Sequence, residues 1–195
     1  MTSEQLAVGA KPYQVQVHSG GSGRYTVIFE SGFGTDLRAW RKVAPEVAKV
    51  ARTLAYSRAG HGASEARRGP RTIAQNADEL KQLIAAAKAA PPFILVGHSY
   101  GGLLMRAFAA RHPQQVAGMV LVDPADERFN PALRALDAAI KRELHADFLR
   151  QFTHGSQVVT ANSGHNIQLD EPELVIATIT KVIGAADSQS AQAGR

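Results

Sequence analysis

Apolar and polar positions along the chain follow two periods in turn. Val15 and Val17 alternate with polar residues through Tyr13–His18, which predicts an edge strand. Gly20-Gly21-Ser22-Gly23 is a turn, Tyr25–Phe29 a buried strand, and Ser31-Gly32-Phe33-Gly34 a flexible loop at its carboxyl end. Asp36–Val50 predicts a helix kinked or broken at Pro45. Ala51–Tyr56 is a strand and Ser57–Pro70 a loop. Over Thr72–Ala89 the period changes, and Ile73, Ala77, Leu80 and Ile84 fall on one helical face until Pro91 and Pro92 stop it. Phe93–Val96 is a strand leading through a sharp turn into a helix that ends at Arg111, and Val116–Val122 is the next strand. Pro131–Phe152 predicts a long helix, with Leu133, Leu136, Ile140, Leu144 and Phe148 at steps of three and four. Gln157–Thr160 is the last strand and Glu171–Ile183 the last helix, with Asp170 and Glu173 as its capping box.

Strands alternating with helices predict an α/β fold, a mostly parallel sheet with helices on both faces. No linker or repeat divides the chain. Residues 1–184 read as one domain and 185–195 as a polar, disordered tail. In such sheets the working residues lie at the carboxyl ends of strands. Three such ends stand out: Ser99, Asp123 and the loop around His165.

Ser99 carries the strongest chemical signal. The run Phe93-Ile94-Leu95-Val96 feeds Gly97-His98-Ser99-Tyr100-Gly101, a G-x-S-x-G with a helix-forming segment directly behind it. A turn this tight needs residues without side chains two before and two after the serine, so that strand and helix can approach. It holds the hydroxyl in the open, with the positive end of a helix aimed at the same place. A serine near its ordinary pKa is a weak nucleophile and needs a base, which in turn needs an orienting acid. Of seven histidines, His165 follows the last strand in Ala161-Asn162-Ser163-Gly164-His165-Asn166 and can reach over Ser99. His18, His61, His112, His145 and His154 read as surface or capping residues, and His98 as packing inside the turn. Asp123 ends the Val116–Val122 strand, so its carboxylate emerges at the same edge; neighbouring strands lie about 4.8 Å apart. Asp126, three residues on, is the competing acid, while Asp137 and Asp147 fall on the wet face of the long helix. The backbone N–H groups of Phe33 and Tyr100 are the expected oxyanion donors.

Composition narrows the alternatives. The chain has 195 residues, 45% hydrophobic and 20% charged, a length and balance suited to a single soluble domain. The net charge of +5 comes from a cluster at Arg67, Arg68 and Arg71 and from bases scattered among acids. No basic stripe is interleaved with aromatics, so nucleic acid is not an expected partner. No apolar run approaches the roughly 20 residues of a membrane span, and Met1–Ala10 is not a secretory signal, so a cytoplasmic location and no membrane insertion are expected. There is no cysteine, hence no disulfide and no thiol nucleophile. No zinc spacing, phosphate loop or dinucleotide fingerprint occurs; neither metal nor cofactor is expected.

Three segments together resemble the α/β-hydrolase superfamily over about Tyr25–Ile183. Gly97-His98-Ser99-Tyr100-Gly101-Gly102 is similar to its nucleophile elbow, and Ser57-Arg58-Ala59-Gly60-His61-Gly62-Ala63-Ser64 to its D-R-x-G-H-G-x-S loop. Ser163-Gly164-His165 through Asp170-Glu171-Pro172-Glu173 is similar to its terminal G-H-x-x-x-x-E-x-P segment. The resemblance implies a Ser99–His165–Asp123 triad with Phe33 and Tyr100 as oxyanion donors. It also shows departures. Ser31-Gly32 stands where relatives have His-Gly, and Ser57 where they have Asp. Between Val122 and His165 the cap and one late strand are missing, while Asp123-Pro124-Ala125 resembles the strand-end acid of lipases that place it one strand earlier. The implied activity is a compact, cap-less serine carboxylesterase acting on small to medium acyl esters. A C–C bond hydrolase or cofactor-free perhydrolase with the same triad, and a non-catalytic ligand-binding member of the fold, remain the alternatives.

Overall fold

The computed structural model describes residues 1–69, 71–125 and 138–193. Seven strands form one sheet: β1 (Thr2–Val8), β2 (Tyr13–Gly20), β3 (Thr26–Glu30), β4 (Arg52–Tyr56), β5 (Phe93–His98), β6 (Val116–Val122) and β7 (Gly155–Val158). Their order is β1-β2-β4-β3-β5-β6-β7. β1 and β2 run antiparallel to their neighbours, and every pair from β4 to β7 is parallel. The expected mostly parallel α/β sheet is therefore the observed one.

Helices α1 (Ala44–Val47), α2 (Ile73–Ala86), α3 (Tyr100–Arg111), α4 (Ala138–Leu149), α5 (Ile167–Asp170) and α6 (Pro172–Ala193) cover it. Residue alternation along the central strands supplies both faces. Val27, Phe29, Ile94, Val96, Val120 and Val122 pack against α1 and α6 through Val47, Val175 and Ile179. Ile28, Phe93, Leu95 and Leu121 point to the opposite face, against Leu80 and Leu83 of α2 and Leu104 and Phe108 of α3. Burying each such side chain completely stabilises the fold by roughly 1.5–3 kcal/mol. Among the described residues no helix is long and apolar enough to cross a membrane.

Several elements depart from the sequence expectation. The edge strand is β1, outside β2; its residues are mostly exposed on both faces, so it carries no hydrophobic alternation to read. Asp36–Val50 is two short pieces, a 3₁₀ turn at Leu37–Trp40 capped by Asp36 and then α1, because Pro45 sits in the first turn of α1 and lacks the N–H a continuous helix needs. Asp170 closes α5 and so does not cap α6. The segment 185–195, expected to be a disordered tail, is helical through Ala193. Ala186 continues the buried stripe of Val175, Ile179 and Val182, and the Ser188 and Ser190 hydroxyls donate back to the carbonyls of Gly184 and Ala186. The alternative acid Asp126, together with Asp137 and the start of the long helix expected at 131–152, lies outside the described residues.

Candidate active site

Strand register brings the expected residues to one edge. Glu30 of β3 pairs with Gly97 of β5, His98 with Val122 of β6, and Val122 with Val158 of β7. The residues that follow these strand ends, Ser31-Gly32-Phe33, Ser99, Asp123 and the loop bearing His165, therefore emerge side by side. β6 lies between β5 and β7, which puts Asp123 between the serine's strand and the histidine's loop.

Ser99 sits at φ 51°, ψ −121°, between β5 and the first residue of α3. This is left-handed backbone that non-glycine residues rarely adopt, and it holds the hydroxyl proud of the sheet. The glycines are needed for close approach. A Cβ on Gly97 would lie 2.7 Å from the Gly101 carbonyl oxygen and from the Gly102 Cα, and one on Gly101 would run into the Glu30 carbonyl. Tyr100 opens α3, so its N–H belongs to the helix end that has no intrahelical acceptor. A Cβ on Gly32 would be 3.4 Å from the Ser99 Cβ, which sets the backbone before Phe33 directly beside the nucleophile.

His165 and Asp123 meet. Nδ1 of His165 is 2.5 Å from Oδ2 of Asp123, so the ring donates its Nδ1–H to the carboxylate and turns Nε2 away from it. Both side chains are about half exposed, 54% and 51%. Asp123 itself has φ 37°, a strained turn directly after β6. A cavity of about 230 Å³ adjoins it, lined by Pro124, His145, Gln157, Thr160 and Ser163. A wider groove of about 470 Å³ runs on the other side, between Gly34, Arg38 and Arg41 and the Asn166–Leu169 segment.

Glu30, Arg58 and His98, beyond the expected set, support this edge. Glu30 is fully buried at the end of β3, where the Arg58 guanidinium pairs with it and the Tyr56 hydroxyl donates to it. Burial pushes the Glu30 carboxyl up, against the pull of Arg58 and Tyr56. Arg58 also donates to the carbonyls of Ser31 (2.6 Å) and Gly32 (2.5 Å), so it grips the loop that presents the Phe33 N–H. Its guanidinium lies 5.3 Å from the Tyr100 ring centroid. Where relatives carry His-Gly, the Ser31 hydroxyl instead donates to the Asp36 carbonyl at 2.8 Å. Ser57, at the position of the usual Asp, donates to Gln16 and accepts from the Leu37 N–H. An arginine in G-H-G-type loop sequence was visible in the chain, but its partner 28 residues upstream was not.

His98 is the third. It is buried, and burial holds its imidazole below the ordinary range. Its Nε2 lies 2.7 Å from the His165 carbonyl oxygen and its Nδ1 has no partner among the described residues. His145, expected at the surface, is also buried, with Nδ1 facing Gln157; the remaining histidines outside the site stay at the periphery.

Residues 25–142 match the model of the alpha/beta hydrolase fold family. An uncharacterised protein of Bacillus subtilis, YqjL, is 28% identical over 226 aligned positions that cover 89% of each chain. Among solved structures, an esterase from Thermogutta terrifontis superimposes with a TM-score of 0.75 at 16% identity, covering 95% of this chain and 99% of its own. The epoxide hydrolase CorEH gives 0.73 at 16% identity over 94% and 98%. Likeness at that identity is likeness of fold, and the two neighbours differ in reaction. With well over half of its length matched by the family model, and the sheet order and elbow in place, the chain belongs to the alpha/beta hydrolase fold family.

Proposed function

We propose that this protein is a serine carboxylesterase in which Ser99, His165 and Asp123 form the catalytic triad. Membership of the family supports hydrolysis in general; the ester reaction rests on the site. The observation that carries it is the His165–Asp123 pair at the sheet edge where Ser99 is presented. Asp123 holds the tautomer that leaves Nε2 unprotonated, and Nε2 takes the proton of Ser99 as the hydroxyl attacks an acyl carbon. The oxyanion that forms is met by the N–H groups of Phe33 and Tyr100. Protonated His165 then gives its proton to the departing alcohol, and water, activated by the same base, releases the acid and restores Ser99.

A serine at the apex favours an acyl-enzyme over the carboxylate attack of aspartate-bearing epoxide hydrolases and dehalogenases. Phe33 is 81% exposed and sits edge-on to Tyr100 at 6.1 Å, an apolar ledge beside the nucleophile. With both triad partners half exposed as well, the site suits small to medium acyl esters rather than one enclosed substrate.

A fluorophosphonate probe with peptide mapping is the test, run beside Ser99→Ala and an ester panel. Adduct on Ser99, lost in the variant together with turnover, is expected. A folded protein that neither reacts nor turns over any ester would overturn the reading in favour of a non-catalytic binding role. Turnover only of carbon–carbon or peroxide substrates would move it to a hydrolase or perhydrolase of another class.

A further inference from the structure

His98 lies one residue before the proposed nucleophile, and its side chain touches the other two parts of the site. Its Nε2 is 2.7 Å from the main-chain carbonyl oxygen of His165. A carbonyl only accepts, so Nε2 carries a hydrogen and donates it. The two imidazole rings pack with centroids 4.7 Å apart at 46°. On the other side, a Cβ placed on Gly32 would stand 2.9 Å from Nδ1 and 3.2 Å from Cε1, so the ring also abuts the loop that presents Phe33. One buried side chain thus joins the elbow, the oxyanion loop and the base loop.

Among the described residues the base loop is tied on both sides of His165, and behind it the Asn166 carbonyl accepts the N–H groups of Leu169 and Asp170. Thr160 donates to Glu171 at 2.5 Å, the Asn162 N–H bonds to the Thr160 hydroxyl at 3.0 Å, and both lie several residues before His165. At His165 itself the ring is held by Asp123 through Nδ1 and the backbone by His98 through the carbonyl. Two bonds, one at each end of the residue, fix where Nε2 points.

We propose that His98 is a positioning residue whose Nε2–H, bonded to the His165 carbonyl, sets the placement of the catalytic base over Ser99. The role rests on the triad reading above. It asks nothing of His98 as an acid or base, since its ring reaches the His165 backbone and not the reacting atoms. The groups that face it are His165 and Asp123.

The test compares three substitutions in the full chain. His98→Phe keeps a ring and removes the donor. His98→Asn puts an amide at the Nδ1 position, too short to reach the His165 carbonyl, while His98→Gln places its amide N–H where Nε2–H was. Loss of placement by about 1 Å costs on the order of 10²-fold, so Phe and Asn should lose about that in kcat with KM little changed, and Gln should recover most of it. Nitrogen-15 NMR of the histidine rings gives a readout independent of turnover. The His165 resonances should broaden or shift in Phe and Asn and return in Gln. Should His98→Phe fail to fold, the Asn and Gln pair decides alone. Phe and Asn within about twofold of wild-type kcat, with unchanged His165 signals, overturn the proposal and leave the triad standing. Losses equal in all three, tracking thermal stability, would mark His98 as packing only. If wild type itself fails to label at Ser99, the esterase reading falls, and the His165 resonances still decide whether His98 places that residue.

Discussion

Replacing Arg58 with Met separates what the buried ion pair does for the fold from what it does for the site. Arg58 and Glu30 have side chains only 5% and 0% exposed. The methionine keeps a flexible apolar stem and removes the guanidinium. Three acceptors then lose one donor each: the Ser31 carbonyl, the Glu30 carboxylate, which keeps Tyr56, and the Gly32 carbonyl, which keeps Thr35. Breaking a buried pair by removing one member typically costs 3–5 kcal/mol. Glu30 can limit the loss by taking up a proton, since burial already pushes its carboxyl up. The Ser31 carbonyl, left without that partner, adds about 1 kcal/mol, whereas the Gly32 carbonyl keeps the Thr35 hydroxyl. A total of about 3–5 kcal/mol is therefore expected, a large part of the roughly 5–15 kcal/mol that holds a domain together. Urea denaturation followed by circular dichroism measures it. In Glu30→Leu/Tyr56→Phe/Arg58→Met the buried charge and the hydroxyl that bonds to it disappear together. This variant should recover most of the stability, as replaced buried pairs commonly do. Its kcat should stay depressed, by up to about 10²-fold, because the guanidinium no longer holds the Ser31 and Gly32 carbonyls ahead of the Phe33 donor. A single variant that loses less than about 1 kcal/mol and keeps its kcat would refute the reasoning, and so would a triple variant with wild-type kcat.

Two further outcomes follow from the site. Asp123→Asn should lower kcat by up to about 10⁴-fold, the loss that a wrong imidazole tautomer causes in the serine-protease triad; steady-state ester hydrolysis measures it, and a near-normal rate would move the acid's role to Asp126. Gly101→Ala brings a methyl group against the Glu30 backbone where α3 passes β3, so it should destabilise by about 1–3 kcal/mol in urea titration, and a neutral effect would mean that helix and strand have room to part.

Local signals made much of this molecule legible. The elbow could be read from a few consecutive residues because steric crowding at one turn dictates glycine at fixed offsets, and the structure shows those contacts at Gly97 and Gly101. The parallel strands could be read because central strands are apolar on both faces. Asp123 could be placed because a strand's end fixes where the next residue emerges. What stayed hidden depends on partners distant in sequence. β1 is held mainly by pairing with β2, and only its end, at Leu6 and Val8, reaches the core. The end of α6 looked polar, yet Ala186 and the back-bonded serines continue the helix. Glu30 ends β3, while Tyr56 and Arg58 lie 26 and 28 residues further on, at the end of β4 and just behind it, so no local spacing marks the three as a unit. His98 read as filler because a single histidine inside a turn shows nothing of the backbone it will meet.

If Ser99 is acylated as proposed, the half-exposed His165–Asp123 pair has a consequence for the fate of that intermediate. An enzyme that transfers acyl groups to alcohols or amines must keep water from the intermediate, which takes a closed, dry pocket. Here the base that would activate the second nucleophile stands in contact with bulk solvent. About half of each side chain is open to solvent among the described residues, and water is in vast excess over any other acceptor. Under the proposed esterase reading the intermediate is therefore committed to hydrolysis, and selectivity rests on which ester acylates the serine rather than on what collects the acyl group afterwards.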